Sequence, residues 1–156
     1  MKILWPWVLL LPLLFWGCHS SSPAQASDLC QDIQEAWLTI EGTPYVWGGN
    51  SFAAGGFDCS GAIFKVSKLI GRPVPRTTSQ RYYLSTPGPD QHWSEAKCGY
   101  VVWWTLQPSR PYGHLGMHIE QPEFWHSGSS TGPTKATHWR GSYWDRHFEA
   151  SKLFYR

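Results

Sequence analysis

Phe57-Asp58-Cys59-Ser60-Gly61-Ala62-Ile63-Phe64-Lys65-Val66 is the stretch whose reading decides the fold. Gly55 and Gly56 lead into Asp58, a side chain suited to capping a helix N-terminus. Beyond it Ala62, Ile63, Val66, Leu69 and Ile70 recur at helical spacing. The pattern predicts a helix that buries one face and carries Cys59 in its first turn. A cysteine there meets unpaired backbone N–H groups and the positive end of the helix dipole, which favour thiolate over thiol. The same position offers an amide to an oxyanion formed beside the sulfur. Cys59 reads equally well as a small buried residue at a helix start, and the pentapeptide alone leaves both readings open.

Working outward, Leu29, Ile33, Ala36, Trp37 and Ile40 trace one face of an earlier helix that ends at Gly42 and is expected to pack on the Cys59 helix. Order is expected to begin near Asp28. Thr43 to Asn50, with Pro44, Gly48 and Gly49, reads as a loop. Arg72 to Thr78 is extended and runs into a short polar helix or loop around Gln80, Tyr82 and Tyr83, then a surface loop from Ser85 to Trp93. After Gly99 the period changes. Tyr100–Trp104, Gly113–Ile119 and Glu123–Ser127 are strand candidates, with Leu115, Met117 and Ile119 on one face and His114, Gly116 and His118 on the other. Ser127 to Pro133 reads as a loop, Trp139 to Trp144 as a turn, and two further strands are expected near Lys135–Trp139 and Ala150–Phe154. Helices followed by an antiparallel meander give an α+β domain.

At 156 residues the chain suits one domain with a real core. A formal charge of +2 without a clustered basic stripe gives no sign of nucleic-acid binding. Of the 11 Trp, Trp5, Trp7 and Trp16 lie near the N-terminus; the remaining Trp and Tyr suit either a site for a sugar or extended peptide, or core filling. Lys2 and the apolar run Ile3–Trp16 read as an export signal, too short for a membrane span. Cleavage after Ala26 competes with lipidation at Cys18, which would give a membrane-anchored lipoprotein. Residues 1–26 are therefore expected to be leader and tether, and 27–156 the working domain, active outside the cytoplasm in the periplasm or cell envelope. Export permits a Cys30–Cys98 disulfide without requiring one. No CxxC pair is present, and His114 with His118 lacks the glutamate of a zinc-protease helix, so no metal or cofactor is expected.

A thiol nucleophile needs a base within hydrogen-bond reach and gains from a third group that holds the base. His114 and His126, on neighbouring antiparallel strands, can lie side by side, which makes Cys59, His114 and His126 a candidate constellation. Each histidine alone reads equally as surface or satisfied core. His92, His138 and His147 fall in loop or tail contexts and carry no functional expectation.

Thr43-Pro44-Tyr45-Val46-Trp47-Gly48-Gly49, Phe57-Asp58-Cys59-Ser60-Gly61, Val74-Pro75-Arg76-Thr77-Thr78, Gly113-His114-Leu115-Gly116-Met117 and Phe124-Trp125-His126-Ser127, in this order, resemble the motifs of the NlpC family of papain-like cell-wall cysteine peptidases. The resemblance runs from about Asp28 to the C-terminus. It implies a papain-like fold with N-terminal helices packed on an antiparallel sheet, and hydrolysis of an amide in peptidoglycan stem peptides or their cross-link. Position by position it puts the nucleophile at Cys59, the general base at His114 and the ring-orienting group at His126. Tyr45 falls where a hydroxyl could reach the oxyanion. Asp58 is expected to fix the helix start, and Arg76 to be structural or to line the groove. The chain departs from the family pattern at Gly99-Tyr100, where Gly-Asp is usual, and at Trp103 and Trp104. The expected form is a monomer acting on stem peptides. Two rival readings stay open: a papain-like amidase or acyltransferase on another substrate, and a wall-binding domain that does not cut.

Overall fold

The computed structural model describes residues 23–155, with side chains from Asp28 onward. The apolar leader and Cys18 lie outside the described residues, as do the side chains of Ala24 and Ala26. Helix α1 (Pro23–Ile40) begins earlier than the expected start of order near Asp28 and runs through the expected boundary at 26/27. It buries Ile33, Ala36, Trp37 and Ile40, the face read from the sequence. Helix α2 (Cys59–Leu69) starts at Asp58 as expected and buries Ala62, Ile63 and Val66. Leu69, counted with that apolar face, is exposed instead, because it sits in the last turn where the helix leaves the core. Helix α3 (Ser79–Ser85) is capped by Thr78 and buries Tyr82.

Two short strands, β1 (Asn50–Ser51) and β2 (Gly56–Phe57), pair antiparallel ahead of α2 and make a hairpin inside what reads as loop. The main sheet is antiparallel. Strands β3 (Tyr100–Trp104), β4 (His114–His118), β5 (Glu123–Gly128) and β6 (Gly132–Thr137) form a meander, and β7 (Phe148–Leu153) returns to pair with β3. The expected loop from Ser127 to Pro133 is shorter than its composition suggests. Ser127, Gly128, Gly132 and Pro133 are all paired in the β5–β6 ladder, because a hairpin turn needs only the residues between Gly128 and Gly132. A fourth helix, α4 (Tyr143–His147), replaces the turn expected near Trp144 and is capped by Ser142. No helix among the described residues is long and apolar enough to cross a membrane.

The sheet has two differently packed faces, as alternation along each strand requires. Val101, Trp103, Leu115, Met117 and Trp125 join Trp37, Ile40, Ile63 and Val66 in one core between sheet and helices. Val102, Trp104 and Phe124 form a second cluster on the other face with Trp144 and Phe148. Trp37, Trp103, Trp104 and Trp125 are all fully buried, so much of the tryptophan content fills core rather than groove. A disulfide joins Cys30 in α1 to Cys98 ahead of β3, closing a separation of 68 residues. Chain-entropy arguments value such a closure at about 4 kcal/mol. Cys59 is the free cysteine among the described residues.

Candidate active site

Asp58 sets the position of Cys59. Its Oδ1 accepts from Gly61 N–H (2.6 Å) and from the Ser60 hydroxyl (2.9 Å), and its Oδ2 accepts from Gly48 N–H (2.9 Å) and the Arg76 guanidinium (2.8 Å). Arg76 also donates to Ser60 Oγ at 2.7 Å. One carboxylate thus ties together the loop before β1, the start of α2 and the extended segment before α3. The loop lies so close that a Cβ on Gly61 would stand 1.9 Å from the Gly49 carbonyl oxygen, so glycine is required there. Cys59 is the first residue of α2, and the first intrahelical bond belongs to Ala62 N–H on the Asp58 carbonyl (2.9 Å). The Cys59 N–H precedes that ladder, as first-turn donors do.

The histidines come from the sheet. His114 opens β4, and His126 on β5 pairs with Gly116 two residues further along. A Cβ on Gly116 would meet the Trp125 carbonyl oxygen at 2.5 Å and the His126 Cβ at 3.1 Å, so the bare position lets His126 lean toward its neighbour. His114 Nε2 and His126 Nδ1 are 3.0 Å apart, with the rings nearly perpendicular. This leaves His114 Nδ1 as the ring nitrogen available to Cys59. Cys59, His114, His126 and Tyr45 all line one cleft of about 540 Å³. The expected constellation is thereby brought together in space, and the backbone N–H of Leu115, next to His114, favours the ionised form of the Cys59 thiol.

Electrostatics depart from the expectation drawn from the helix start. Burial, reinforced by the neighbouring Asp58 carboxylate, pushes the Cys59 thiol up to about 12, against the opposing pull of the Leu115 and Ser60 N–H groups and of Arg76. The helix terminus favours thiolate, but desolvation is the larger effect. His114 is held down to about 3 by burial and by the proximity of His126, and burial holds His126 down to about 4. The resting pair is a neutral thiol beside a neutral imidazole. Tyr45 is pushed up to about 12, by burial first and then by Cys59 and Asp58, so its hydroxyl keeps its proton and can donate.

Trp144 was not singled out from the sequence as a site residue, yet it walls the dyad. Its ring stacks on His114 (centroids 5.7 Å, planes 20° apart) and meets His126 edge-on at 4.7 Å. Trp104 and Phe124 back it at 4.8 and 5.2 Å. Asp145 anchors α4 by accepting from Gly141 N–H (2.7 Å) and Trp93 Nε1–H (2.8 Å). The available signal was Ser142 three residues before Asp145, a cap-and-turn pattern. Among the described residues no group of three or more His, Cys, Asp or Glu is placed to hold an ion. His118 lies on the same face as His114 but is fully buried.

Comparison with known proteins gives a consistent picture. The NlpC/P60 family model matches residues 42–152. The chain is 32% identical over 112 residues to the murein DD-endopeptidase MepH of Escherichia coli strain K12, an alignment covering 71% of this chain and 41% of that protein. It is 26% identical over 105 residues to the gamma-D-glutamyl-L-lysine dipeptidyl-peptidase of Bacillus subtilis strain 168, covering 67% and 34%. Among solved structures, a lipoprotein-like member of the NLP/P60 family from Staphylococcus aureus superposes with a TM-score of 0.66 at 28% identity, covering 83% of this chain and 42% of that one. The peptidoglycan hydrolase RipB of Mycobacterium tuberculosis gives 0.63 at 21% identity, covering 86% and 69%. The chain spans about two fifths of the length of the first curated relatives it matches.

Proposed function

Because the chain belongs to the NlpC/P60 family, we propose that it is a peptidoglycan endopeptidase that hydrolyses a stem-peptide or cross-link amide through the Cys59 thiol. The observation that carries this reading is the His114 Nε2–His126 Nδ1 bond of 3.0 Å in the cleft that holds Cys59. A wall-binding domain has no use for that arrangement. Relatives that are named endopeptidases or peptidoglycan hydrolases support the substrate class.

The chemistry follows from neutral resting partners. For His114 Nδ1 to act as a base its proton must sit on Nε2, which then donates to Nδ1 of His126; His126 in turn carries its own proton on Nε2. His126 thereby selects the useful tautomer. As the sulfur attacks the scissile carbonyl, the thiol proton moves to His114 Nδ1 within the same step, so no standing thiolate is required. The carbonyl oxygen becomes an oxyanion, steadied by the Cys59 N–H and the Tyr45 hydroxyl. His114 then gives its proton to the departing amine and leaves a thioester. Water deprotonated by His114 attacks that thioester, and the acid is released with the thiol restored.

The domain from Ser27 onward is the working unit in this reading, acting outside the cytoplasm as a monomer. The disulfide supports an oxidising compartment. Cys18 is the lipid attachment point in the anchored form, and cleavage after Ala26 gives the free one. The test is digestion of purified peptidoglycan beside Cys59→Ala, with released fragments identified by mass spectrometry. Cleavage only with Cys59 intact supports the reading and names the bond. A folded protein with a reactive thiol that leaves the wall uncut would instead favour the amidase reading on another substrate.

A further inference from the structure

Among the described residues Tyr112 is the one non-glycine whose backbone lies in the left-handed region, at a φ of 53°. A bulky residue takes that conformation at a cost, and such strain persists only where the surroundings impose it. Tyr112 stands two residues ahead of His114, in the connection between β3 and β4. A glycine would sit there without strain, so the reason for a tyrosine lies in what its ring touches.

The Tyr112 ring lies flat on that of Tyr83, with centroids 3.7 Å apart and planes 9° apart. Tyr83 comes from α3 and is itself held on every side. Lys152 of β7 sets its ammonium 4.1 Å from the Tyr83 centroid, over the face that Tyr112 leaves open. Trp103 of β3 meets the same ring at 5.7 Å and a steep 72°. The Tyr83 hydroxyl donates to Asp90 Oδ2 at 3.0 Å, and Asp90 pairs with Lys152 at 3.5 Å. Lys152 is buried and also donates to the Thr86 carbonyl at 3.3 Å. The stack is therefore rooted in α3, β3 and β7 before it reaches the β3–β4 connection.

Backbone bonds complete the clamp. Tyr112 N–H donates to Thr105 Oγ1 at 3.0 Å, and Gly113 N–H donates to the Arg110 carbonyl at 3.0 Å. A Cβ on Gly113 would stand 2.7 Å from that carbonyl oxygen, so the chain between Tyr112 and His114 has little room to take another path. His114 then enters β4 opposite Trp104, with its Nε2 3.0 Å from His126 Nδ1.

We propose that Tyr83 is a positioning residue for His114: by clamping Tyr112 in the left-handed conformation it fixes the path into β4 and with it the place of the imidazole. This rests on the proposed role of His114 as the base that receives the Cys59 proton.

The test compares Tyr83→Ala, Tyr83→Phe, Tyr112→Ala and Tyr112→Gly in the full chain. Tyr83→Ala should lower kcat on stem peptides about 10- to 100-fold and change KM far less, as a misplaced reacting group does. Tyr83→Phe keeps the flat face and should keep most of the rate. Tyr112→Gly adopts the left-handed conformation freely and should retain more activity than Tyr112→Ala. Imidazole nitrogen NMR of the histidine-labelled chain reads the same effect without substrate. His114 should show a single tautomer in the unaltered protein, a mixture in Tyr83→Ala, and a single tautomer again in Tyr83→Phe. Where Tyr83→Ala does not fold, Tyr83→Leu, which fills the space without a flat face, is measured in its place. A lower melting temperature with kcat and the His114 resonances unchanged would show that the stack only stabilises the fold, and would overturn the proposal. Equal activity of Tyr112→Gly and Tyr112→Ala, or a Tyr83→Phe variant as slow as Tyr83→Ala, would overturn it too. Failure of the endopeptidase reading looks different: the unaltered chain leaves stem peptides uncut, yet Tyr83→Ala still mixes the His114 tautomers.

Discussion

Two histidine pairs lie on the same face of one sheet, and they have little in common beyond residue type. His114 and His118 flank Gly116 on β4; the first faces His126 and the second faces His138, just beyond β6. In the first pair the rings are joined by a hydrogen bond and border the cleft that holds Cys59. In the second the rings lie nearly parallel at 6.4 Å, both fully buried, with Trp93 stacked on His138 at 4.1 Å. Among the described residues no ring nitrogen of His118 or His138 has a hydrogen-bond partner. Burial holds both members of the second pair down to about 4, close to the values at the first. A depressed imidazole therefore does not mark an active pair. What separates them is a cleft shared with the Cys59 thiol and a hydrogen bond between the two rings.

The comparison breaks most sharply at the proposed nucleophile and base. Cys59→Ala and His114→Ala should each abolish turnover in muropeptide release assays while leaving the circular dichroism spectrum intact. His126→Ala should lower kcat by about 10- to 100-fold and leave residual activity, because a lost orienting partner weakens a ligand or base without removing it. Equal loss in His126→Ala and His114→Ala would mean that His126 does more than orient. Trp144→Ala should lift the acid limb of the kcat/KM profile by about one pH unit or more, since water admitted to the dyad relieves the desolvation that lowers both imidazoles. Trp144→Phe should keep the native profile. With the wall intact the dyad stays neutral well below the usual histidine range, so activity should persist at pH 5, where an ordinary imidazole would be charged.

The sealed pair should answer in stability instead. Its histidines are neutral in the fold but bind protons readily once exposed, so the unfolded state takes up more protons between pH 6.5 and about 4. Stability is therefore full above pH 6.5 and falls as pH drops through that window, by roughly 3 kcal/mol for His118 alone. His118→Leu should lessen the fall in melting temperature between pH 7 and 4.5, with His138, His114 and His126 carrying the rest, and leave kcat/KM at pH 7 unchanged. A parallel loss of activity would show that the two pairs are not independent.

Much of this was legible in the chain. Asp58 before an apolar helical repeat announced both the cap and the position of Cys59, because capping is local. Alternation around His114 placed it on the face opposite Leu115 and Met117 for the same reason. Non-local facts were harder. The hairpin at Asn50–Phe57 is set by tertiary closeness to Gly61 and has too few residues to show a period. The Gly/Ser/Thr run after Ser127 hid the start of β6, which begins at Gly132 rather than at the expected Lys135. Trp144 could not be assigned, because its role depends on α4 folding back across the sheet. The balance of forces at Cys59 also lay beyond sequence: the dipole is visible there, but the depth of burial is not.

The Cys30–Cys98 bond has a consequence for survival. The closed segment contains Cys59 and all of α2 and α3, while His114 and His126 lie outside it. Pro87–Asp90 is exposed on that segment, where a protease would find it. A single cut there does not divide the molecule. Both fragments stay tethered through the sulfur bridge, and the half bearing the thiol remains held against the half bearing the base. The protein is thus built to be nicked once and still be one piece.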